Sequence, residues 1–421
     1  MVKASGGQAR IDTDLRRPAI DGGTPVRDQS RFLVFGQPDI GQPEIDAVTE
    51  VLRSSWIGTG PHCQAFEAEF AAYLGPRIGG AVAVNSATAA LHLSLLALDI
   101  GPGDEVISTA MTFCATINVI CHVGATPVLC DCDIATQCIL PEQIEAKITP
   151  RTKAIIVVHM CGRPCEMEAI MAIADRRGIP VIEDCAHAIE TRIGDRPVGT
   201  YGTYACYSFY ATKNMTTAEG GMVVAQDAER LTRIRTLSLH GQSADAWKRY
   251  SNAGFKRYDV VEPGWKYNLT DIAAAMGRAQ LPMVESRLTR RREIAEQYDA
   301  ALAELPLVLP PVAAPDTRLA YHLYTVQVDE ARAGISRNDL LVAMRAENIG
   351  VGVHYEAIHT LGYYQNLLGL RPEDLPNAAW IGEHTLSMPL STVMSDDDVD
   401  DAITAIRGII GWYAEPFRAG H

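Results

Sequence analysis

The stretch that decides the fold of this chain is AIIVVHMCGRPCEMEAIMAIADRRGIPVIED, residues 154–184. It predicts a strand over Ala154–His159, a helix over Glu166–Arg177 and a second strand over Pro180–Asp184. Both strands are rich in Val and Ile on both faces, which is typical of parallel strands covered by helices on each side. Parallel strands need a crossover connection, and the helix between them supplies it. The stretch therefore predicts one βαβ unit of an α/β fold.

The same alternation continues on the N-terminal side of this unit. Residues 81–98 are long and apolar enough to suggest a membrane span, but the polar residues Asn85, Ser86, Thr88 and His92 interrupt them. We therefore predict a strand, a turn and a buried helix there, within a mostly parallel sheet covered by helices. The predicted strands are Ala81–Val84, Glu105–Ser108 and Pro127–Cys130, and the predicted helices begin at Pro43 or span Gln64–Leu74, Ala87–Leu98 and Thr116–Val123.

The pattern changes after residue 264 and predicts a smaller α+β domain. A long helical stretch runs from about Asp271 to Leu302, and its basic run, Arg287–Arg292, is read as a solvated helix face. We predict three parts: a flexible extension over residues 1–30, a large domain over 31–270 and a small C-terminal domain over 271–421. In the small domain the predicted elements are strand Tyr321–Val328, helix Arg337–Glu347, strand Gly350–His354 and helix Asp396–Tyr413.

Composition excludes several classes of protein. The 421 residues are 47% hydrophobic and 21% charged, which is ordinary for a globular chain and excludes a disordered one. The net charge is 37 − 51 = −14, which argues against a nucleic-acid binder and against a polybasic membrane anchor. The ten Cys form no CxxC pair and residues 1–28 contain no apolar signal segment, so we expect reduced thiols, no metal site and a cytoplasmic protein.

Polar groups follow the ends of four predicted strands, where ligands bind in open α/β sheets. Asn85–Thr88 combines small hydroxyl residues with a helix N-terminus, which suits a phosphate, although simple helix capping by Ser86 explains it as well. Thr112-Phe113 offers an aromatic ring that can stack on a flat ligand or pack in the core.

The other two strand ends carry ionisable groups. In Glu183–His187 a carboxylate can bind a metal, act as a base or pair with a cationic ring nitrogen; the metal is disfavoured because no second cluster has ligand spacing. For His187 itself, a buried histidine of the core is an equally good interpretation. Lys213 follows a strand amid small and apolar residues, where loss of hydration produces a nucleophilic amine, although a surface lysine is an equal alternative. Gly220-Gly221 lets the backbone pass closely.

Together these pieces suggest a flat, cationic, phosphorylated ring held by a lysine, which is pyridoxal 5′-phosphate (PLP). The sequence resembles the DegT-like sugar aminotransferases, among the fold type I PLP enzymes, over nearly the whole chain from about Arg31. It is most similar to the branch that acts at C4 of nucleotide-linked 4-keto sugars, chiefly through the segment Gly350–Tyr364 with His354 and His359. The matching segments are Trp56–Pro61, Asn85–Thr88, Glu183–His187, Ser208–Asn214, Glu219–Gly221, Gly264–Asp271 and Val353–Tyr355.

The resemblance implies roles for particular residues. Lys213 resembles the Schiff-base lysine that also carries the proton, Asp184 the carboxylate that pairs with the pyridine nitrogen, and His187 the histidine beside the 3-hydroxyl. Ser86, Ala87 and Ser208 resemble the phosphate cradle, Phe113 the stacking aromatic, and Asn268 a phosphate ligand given by the second subunit of a homodimer. For the substrate pocket the candidates are Lys266, His322, His354 and Tyr355.

The implied function is transfer of an amino group, with L-glutamate as donor, to the C4 ketone of a nucleotide-linked 4-keto-6-deoxy sugar. Amination at C3 of a keto sugar, or of a cyclitol ketone, is the enzymatic alternative. A dehydratase of the same fold is disfavoured because Lys213 is present. A non-catalytic PLP-binding regulator is disfavoured because no DNA-binding extension or basic patch is visible. A nicotinamide enzyme is disfavoured because no GxGxxG follows any strand.

Overall fold

The computed structural model describes residues 16–243 and 259–414, and every structural statement below concerns these residues. The predicted alternation of strands and helices is confirmed in the first 225 residues. The strands are β1 Gly80–Val84, β2 Glu105–Thr109, β3 Thr126–Cys130, β4 Thr152–Val158, β5 Val181–Asp184, β6 Arg192–Ile193, β7 Arg196–Pro197, β8 Tyr204–Ser208, β9 Gly221–Ala225, β10 Leu307–Val308, β11 Thr317–Arg318, β12 Tyr324–Val328 and β13 Thr385–Met388. The helices are α1 Gln42–Ser54, α2 Pro61–Leu74, α3 Ala87–Ala97, α4 Cys114–His122, α5 Pro141–Lys147, α6 Met167–Arg177, α7 Arg230–Ser238, α8 Asp271–Gln280, α9 Val284–Leu302, α10 Glu330–Ala333, α11 Arg337–Ala346, α12 Gly362–Leu368, α13 Pro376–His384 and α14 Asp396–Tyr413.

The central sheet has seven strands in the order β1-β9-β8-β5-β4-β2-β3. The pairs from β8 to β3 are parallel, and β9 runs antiparallel to both of its neighbours. The stretch at 154–184 forms β4, α6 and β5, with Ile155 paired to Val181. Because β5 and β8 are parallel neighbours, their last residues, Asp184 and Ser208, lie at the same edge of the sheet.

A second apolar core lies in the C-terminal part of the chain. It surrounds the antiparallel sheet β10-β12-β13 and includes Tyr324, Met344 and Ile406, from β12, α11 and α14. No helix within the described ranges is both long and apolar enough to cross a membrane.

The N-terminal segment packs on this second core. The backbone N–H groups of Ala19 and Val26 each donate to the Glu347 carboxylate at 2.7 Å, and Leu33 belongs to the core itself. Residues 16–30 of the predicted extension are therefore held in place, whereas residues 1–15, and 415–421 at the other end, lie outside the described residues. The domain limits stay predictions.

Two predicted elements differ from the structure. The strand predicted over Gly350–His354 is wrong, because this segment makes one isolated bridge, Gly352 to Ser387, and Ile349 just before it makes another, to Leu33. A Cβ on Gly350 would lie 2.6 Å from the carbonyl oxygen of Leu33, so the glycine serves close backbone approach and not a strand. The long helix over 271–302 divides into α8 and α9 around a 3₁₀ turn at Leu281–Met283, since Pro282 has no N–H to donate.

Candidate active site

A cavity of about 550 Å³ opens at the carboxyl ends of β5 and β8. Leu390 of the second core closes it from the other side, and Phe35 and His322 also lie in its wall. The cavity brings together ten of the predicted site residues: Ser86, Ala87, Phe113, Asp184, His187, Ser208, Lys213, His322, His354 and Tyr355.

Asp184 is the buried carboxylate of this cavity. Its Oδ2 accepts a hydrogen bond from the Thr116 hydroxyl at 2.9 Å, and its Oδ1 accepts one from the Ala186 N–H at 3.1 Å. Burial raises the pKa of Asp184, while these two hydrogen bonds and the Lys213 amine oppose the rise. A cationic partner inside the cavity would favour the ionised form, as a protonated ring nitrogen does.

The neighbouring carboxylate, Glu183, serves the fold. It accepts backbone N–H groups of Gly199, Tyr201 and Gly202 at 2.6–2.8 Å, and it lies 3.1 Å from the ring of His159. Glu183 and His159 form, with Cys185, a close group of metal-ligating types, but the carboxylate oxygens are already used by these donors. Alternation along β5 explains why only Asp184 faces the cavity.

Lys213 lies in the turn after β8, where its N–H donates to the Tyr210 carbonyl at 2.9 Å. Its side chain opens onto the cavity, and desolvation lowers the pKa of its amine to about 8, with Asp184 opposing the shift. A lysine of this kind has a neutral, nucleophilic fraction of about a tenth at pH 7 and about half at pH 8. The prediction that Lys213 is more than a surface lysine therefore has a physical basis.

His187 and Tyr355 form a hydrogen-bonded pair in the wall of the cavity. Burial lowers the pKa of His187 well below its usual range, so the ring is neutral. The Cys161 N–H donates to its Nδ1 at 3.3 Å, which places the ring proton on Nε2, 3.2 Å from the Tyr355 hydroxyl. The Tyr355 oxygen accepts that proton, so its own O–H can donate into the cavity.

The two histidines predicted for the substrate pocket, His354 and His322, have different surroundings. His354 has its Nδ1 2.8 Å from the Ser387 hydroxyl and its ring stacked on Phe35 at 5.3 Å, and burial lowers its pKa to about 4. His322 lies against Lys213, with 3.4 Å between Nε2 and Nζ.

The predicted phosphate cradle is the N-terminus of α3. The Ser86 hydroxyl caps this helix by accepting the Ala89 N–H at 3.1 Å, so capping and anion binding are combined at one residue. The first N–H groups of a helix have no intrahelical acceptor, and those of Ala87 and Thr88 lie at the cavity wall beside Ser208. A Cβ on Gly221 would lie 2.5 Å from the Ser86 carbonyl carbon, which explains the glycine pair predicted to allow close backbone passage.

Phe113 stands at the cavity mouth, immediately before α4. Its side chain is 56% exposed, and its ring lies 5.6 Å from that of Tyr355 at an angle of 45°. The exposure excludes the core-packing alternative and leaves the ring free to cover a flat ligand.

Two predicted site residues lie outside this cavity. Lys266 is exposed, and its carbonyl accepts a hydrogen bond from the Asn85 side chain at 3.4 Å. Asn268 lines a second cavity of about 290 Å³ and donates to the Thr59 hydroxyl at 2.6 Å. This position suits a residue that acts in the active site of another subunit.

Sequence reasoning missed Thr116 and Asn214, which hold Asp184 and His322 in place. Asn214 directly follows Lys213 within the matching segment Ser208–Asn214, so the sequence could have suggested it as a site residue. Thr116 lies in none of the matching segments, and no local pattern points to it. The prediction that the basic run at 287–292 forms a solvated helix face was wrong for two of its residues. Arg287 and Arg291 are only 8% and 4% exposed, and each pairs with a buried carboxylate.

The residues of the cavity fit PLP. The buried Asp184 matches a protonated ring nitrogen, the α3 N-terminus matches a phosphate, the exposed face of Phe113 matches a flat ring, and the amine of Lys213 matches an aldehyde. The cavity volume lies within the usual range of cofactor sites.

Comparison with known proteins agrees with this fit. The model of the DegT/DnrJ/EryC1/StrS aminotransferase family matches residues 38–407. The spore coat polysaccharide biosynthesis protein SpsC of Bacillus subtilis is 48% identical over 386 residues, which are 91% of this chain and 99% of SpsC.

Solved structures give the same result. Spr1654 of Streptococcus pneumoniae superposes with a TM-score of 0.83 in its PLP form, at 33% identity over 90% of this chain and 98% of that one. Its PMP form gives a TM-score of 0.84 at 34% identity, over 90% and 99%. DesI, solved in the presence of its TDP-sugar product, gives 0.81 at 31% identity, over 92% and 95%. The predicted fold type I architecture, the PLP cofactor and the aminotransferase class are confirmed. The chain belongs to the DegT/DnrJ/EryC1/StrS aminotransferase family, and it is a PLP-dependent sugar aminotransferase.

Proposed function

We propose that this enzyme moves the amino group of L-glutamate to the C4 ketone of a nucleotide-linked 4-keto-6-deoxy sugar, with dTDP or UDP as the nucleotide. The observation that carries the proposal is the meeting of Lys213, Asp184 and the α3 N-terminus in one cavity of about 550 Å³. DesI was solved with a TDP-sugar product, and SpsC belongs to polysaccharide biosynthesis; both support a nucleotide-linked sugar here.

Lys213 is the residue to which we assign covalent attachment and proton transfer. When bound, PLP supplies an electron sink for the pair left on the donor carbon. Asp184 keeps a ring nitrogen protonated, and the Lys213 amine, with its pKa near 8, takes the donor proton and returns it. With the cofactor bound, Ser86, Ala87 and Ser208 would hold the phosphate, Phe113 would cover the ring, and His187 would lie beside its 3-hydroxyl group.

Tyr355 and His354 are the substrate residues that we favour for the sugar. The Tyr355 hydroxyl receives the His187 proton and has its own proton to donate, which suits a sugar hydroxyl or the ketone oxygen. Lys266 stays a candidate for the diphosphate, since an exposed cation suits an anionic group.

We further propose a homodimer in which Asn268 binds the phosphate in the partner's site. Its position outside the cavity of its own chain supports this arrangement. All ten cysteines are free thiols, which supports the predicted cytoplasmic location.

A panel of nucleotide-linked 3-keto and 4-keto sugars and one cyclitol ketone, each assayed with L-glutamate, tests the proposal. We expect kcat/KM for the 4-keto sugar to exceed that for the others by at least about tenfold, because pocket contacts discriminate by roughly 1–3 kcal/mol. Preference for a 3-keto sugar or the cyclitol would contradict the regiochemistry. Turnover with none of them would contradict the proposed substrate class.

A further inference from the structure

His322 forms the partition between the main cavity and a small polar recess of about 30 Å³ behind Lys213. Its ring is 7% exposed and packs on His187 with 4.4 Å between ring centroids. Its Nε2 lies 3.4 Å from the Lys213 amine, so it contacts the group assigned to covalent chemistry.

The proton of the His322 ring is fixed from behind by Asn214. The Asn214 amide nitrogen donates to the Glu190 carboxylate and to the Ala320 carbonyl, both at 2.9 Å. These two acceptors orient the amide, so its oxygen faces His322 Nδ1 at 3.0 Å. An amide oxygen only accepts, and the ring proton must therefore lie on Nδ1. Nε2 is left with a lone pair that faces Lys213.

This chain of groups ends in a buried ion pair. Glu190 is 0% exposed and pairs with Arg291 of α9, which also donates to the Ala320 carbonyl at 3.3 Å. Breaking a buried ion pair leaves an uncompensated charge, so Arg291 keeps Glu190 in place. Because Asn214 donates to Glu190, the orientation of the Asn214 amide is fixed as well.

We propose that His322 is a positioning residue for Lys213: its Nε2, held as an acceptor by Asn214, Glu190 and Arg291, takes one N–H of the amine and directs the amine's lone pair into the cavity. This rests on the proposed role of Lys213. It moves His322 from the sugar pocket, where the sequence placed it, to the support of the reactive amine. The hydrogen bond also favours the protonated amine, because an ammonium donates more strongly than a neutral amine.

The other groups around the amine do not supply this hydrogen bond. Asp184 and Cys161 raise the pKa of Lys213 through charge alone. Burial keeps His187, His322 and His354 neutral by lowering the pKa of each. Arg291 and Glu190 are paired with each other.

The test is competitive acetylation of the full-length protein, freed of cofactor, with trace acetic anhydride between pH 6 and 11. Mass spectrometry of the peptide that contains Lys213 gives the pH midpoint of its reactivity. We expect a midpoint near 8 in the wild type, and in His322→Phe and Asn214→Leu a midpoint lower by roughly one pH unit. His322→Gln keeps a hydrogen-bond acceptor, so its midpoint should lie close to that of the wild type. The distant His92→Phe should leave the midpoint unchanged.

An unchanged midpoint in His322→Phe and Asn214→Leu, with or without a lower unfolding temperature, would overturn the proposal and leave His322 with a packing role only. The readout needs neither cofactor nor substrate. If the cofactor attaches to another lysine, the role of Lys213 fails whatever the midpoint is, so the two failures are distinguishable.

Discussion

At the scale of single residues, burial moves two pKa values in opposite directions in one cavity. It raises the pKa of the Asp184 carboxyl and lowers that of the Lys213 amine to about 8. Such shifts are typical of catalytic sites. The sequence predicted both residues, because each follows a strand in a matching segment. It could not predict Thr116 or the surroundings of His322, because both depend on contacts between distant parts of the chain.

Lys213 makes cofactor-free protein less stable at neutral pH. The pKa of Lys213 is about 8 in the folded protein and 10.5 for an ordinary lysine. Below pH 8 the amine is therefore protonated in both the folded and the unfolded protein, and the folded protein bears the cost of burying the charge. Between pH 8 and 10.5 the native state loses the proton first, and the cost disappears. We expect Lys213→Met to raise the free energy of unfolding of the cofactor-free protein by roughly 2 kcal/mol at pH 7 and by much less at pH 10.

Urea unfolding of both proteins at the two pH values measures this difference. If the variant raised the free energy of unfolding equally at pH 7 and pH 10, the effect would come from packing and not from the charge of Lys213.

Asp184→Asn should reduce the rate of the half-reaction with glutamate by about 10²- to 10³-fold, because a neutral amide does not hold the ring nitrogen protonated. Thr116→Val, which removes one hydrogen bond to the same carboxylate, should cost about tenfold. Single-turnover absorbance of the bound cofactor measures both rates. An Asp184→Asn rate close to the wild-type rate would show that the ring nitrogen has another partner.

At the scale of elements, local sequence patterns predicted the buried strands correctly. They did not predict segments whose conformation depends on backbone contacts with distant residues. β2, β3, β4 and β5 each contain a short run of apolar residues, and each was predicted to within two residues. The failed strand at 350–354 is held by Leu33 and Ser387, which lie 317 and 35 residues away from Gly350 and Gly352. α14 was predicted to its ends, and in the structure Ser395 and Asp398 form a capping box at its first turn.

α2 depends on a cap from another helix. Asp271, the first residue of α8, accepts the N–H groups of Gly60 at 2.8 Å and Cys63 at 2.9 Å. Asp271→Ala leaves these donors buried without a partner, so we expect a loss of about 2–3 kcal/mol in the free energy of unfolding. Ser395→Ala, at the exposed cap of α14, is the control and should cost about 1 kcal/mol. Chemical denaturation measures both, and equal costs would contradict the importance of the cap between helices.

At the scale of the whole molecule, the cavity is built by two cores. The sheet supplies Asp184 and Ser208, the second core supplies Leu390, and the segment with Tyr355 packs on the apolar residues around the sheet. The sequence predicted the two bodies from the change of pattern after residue 264. It did not predict that residues 16–33 join the second core, because a short polar segment has no periodicity that points to its neighbours.

The proposed homodimer predicts complementation between two inactive variants. Lys213→Ala lacks the amine, and Asn268→Ala lacks the phosphate ligand that we assign to the partner's site. In a refolded equimolar mixture each heterodimer has one intact site, so we expect about a quarter of the wild-type activity. Activity no higher than that of the separate variants would show that Asn268 does not act across subunits.

The most direct measurement of the central claim is the position of the cofactor on the chain. Holoenzyme is treated with borohydride, digested and mapped by mass spectrometry. The account predicts a phosphopyridoxyl group on Lys213, and no such group on any peptide of Lys213→Ala. A modified lysine at any other position, or an unmodified Lys213 in fully yellow protein, would contradict it.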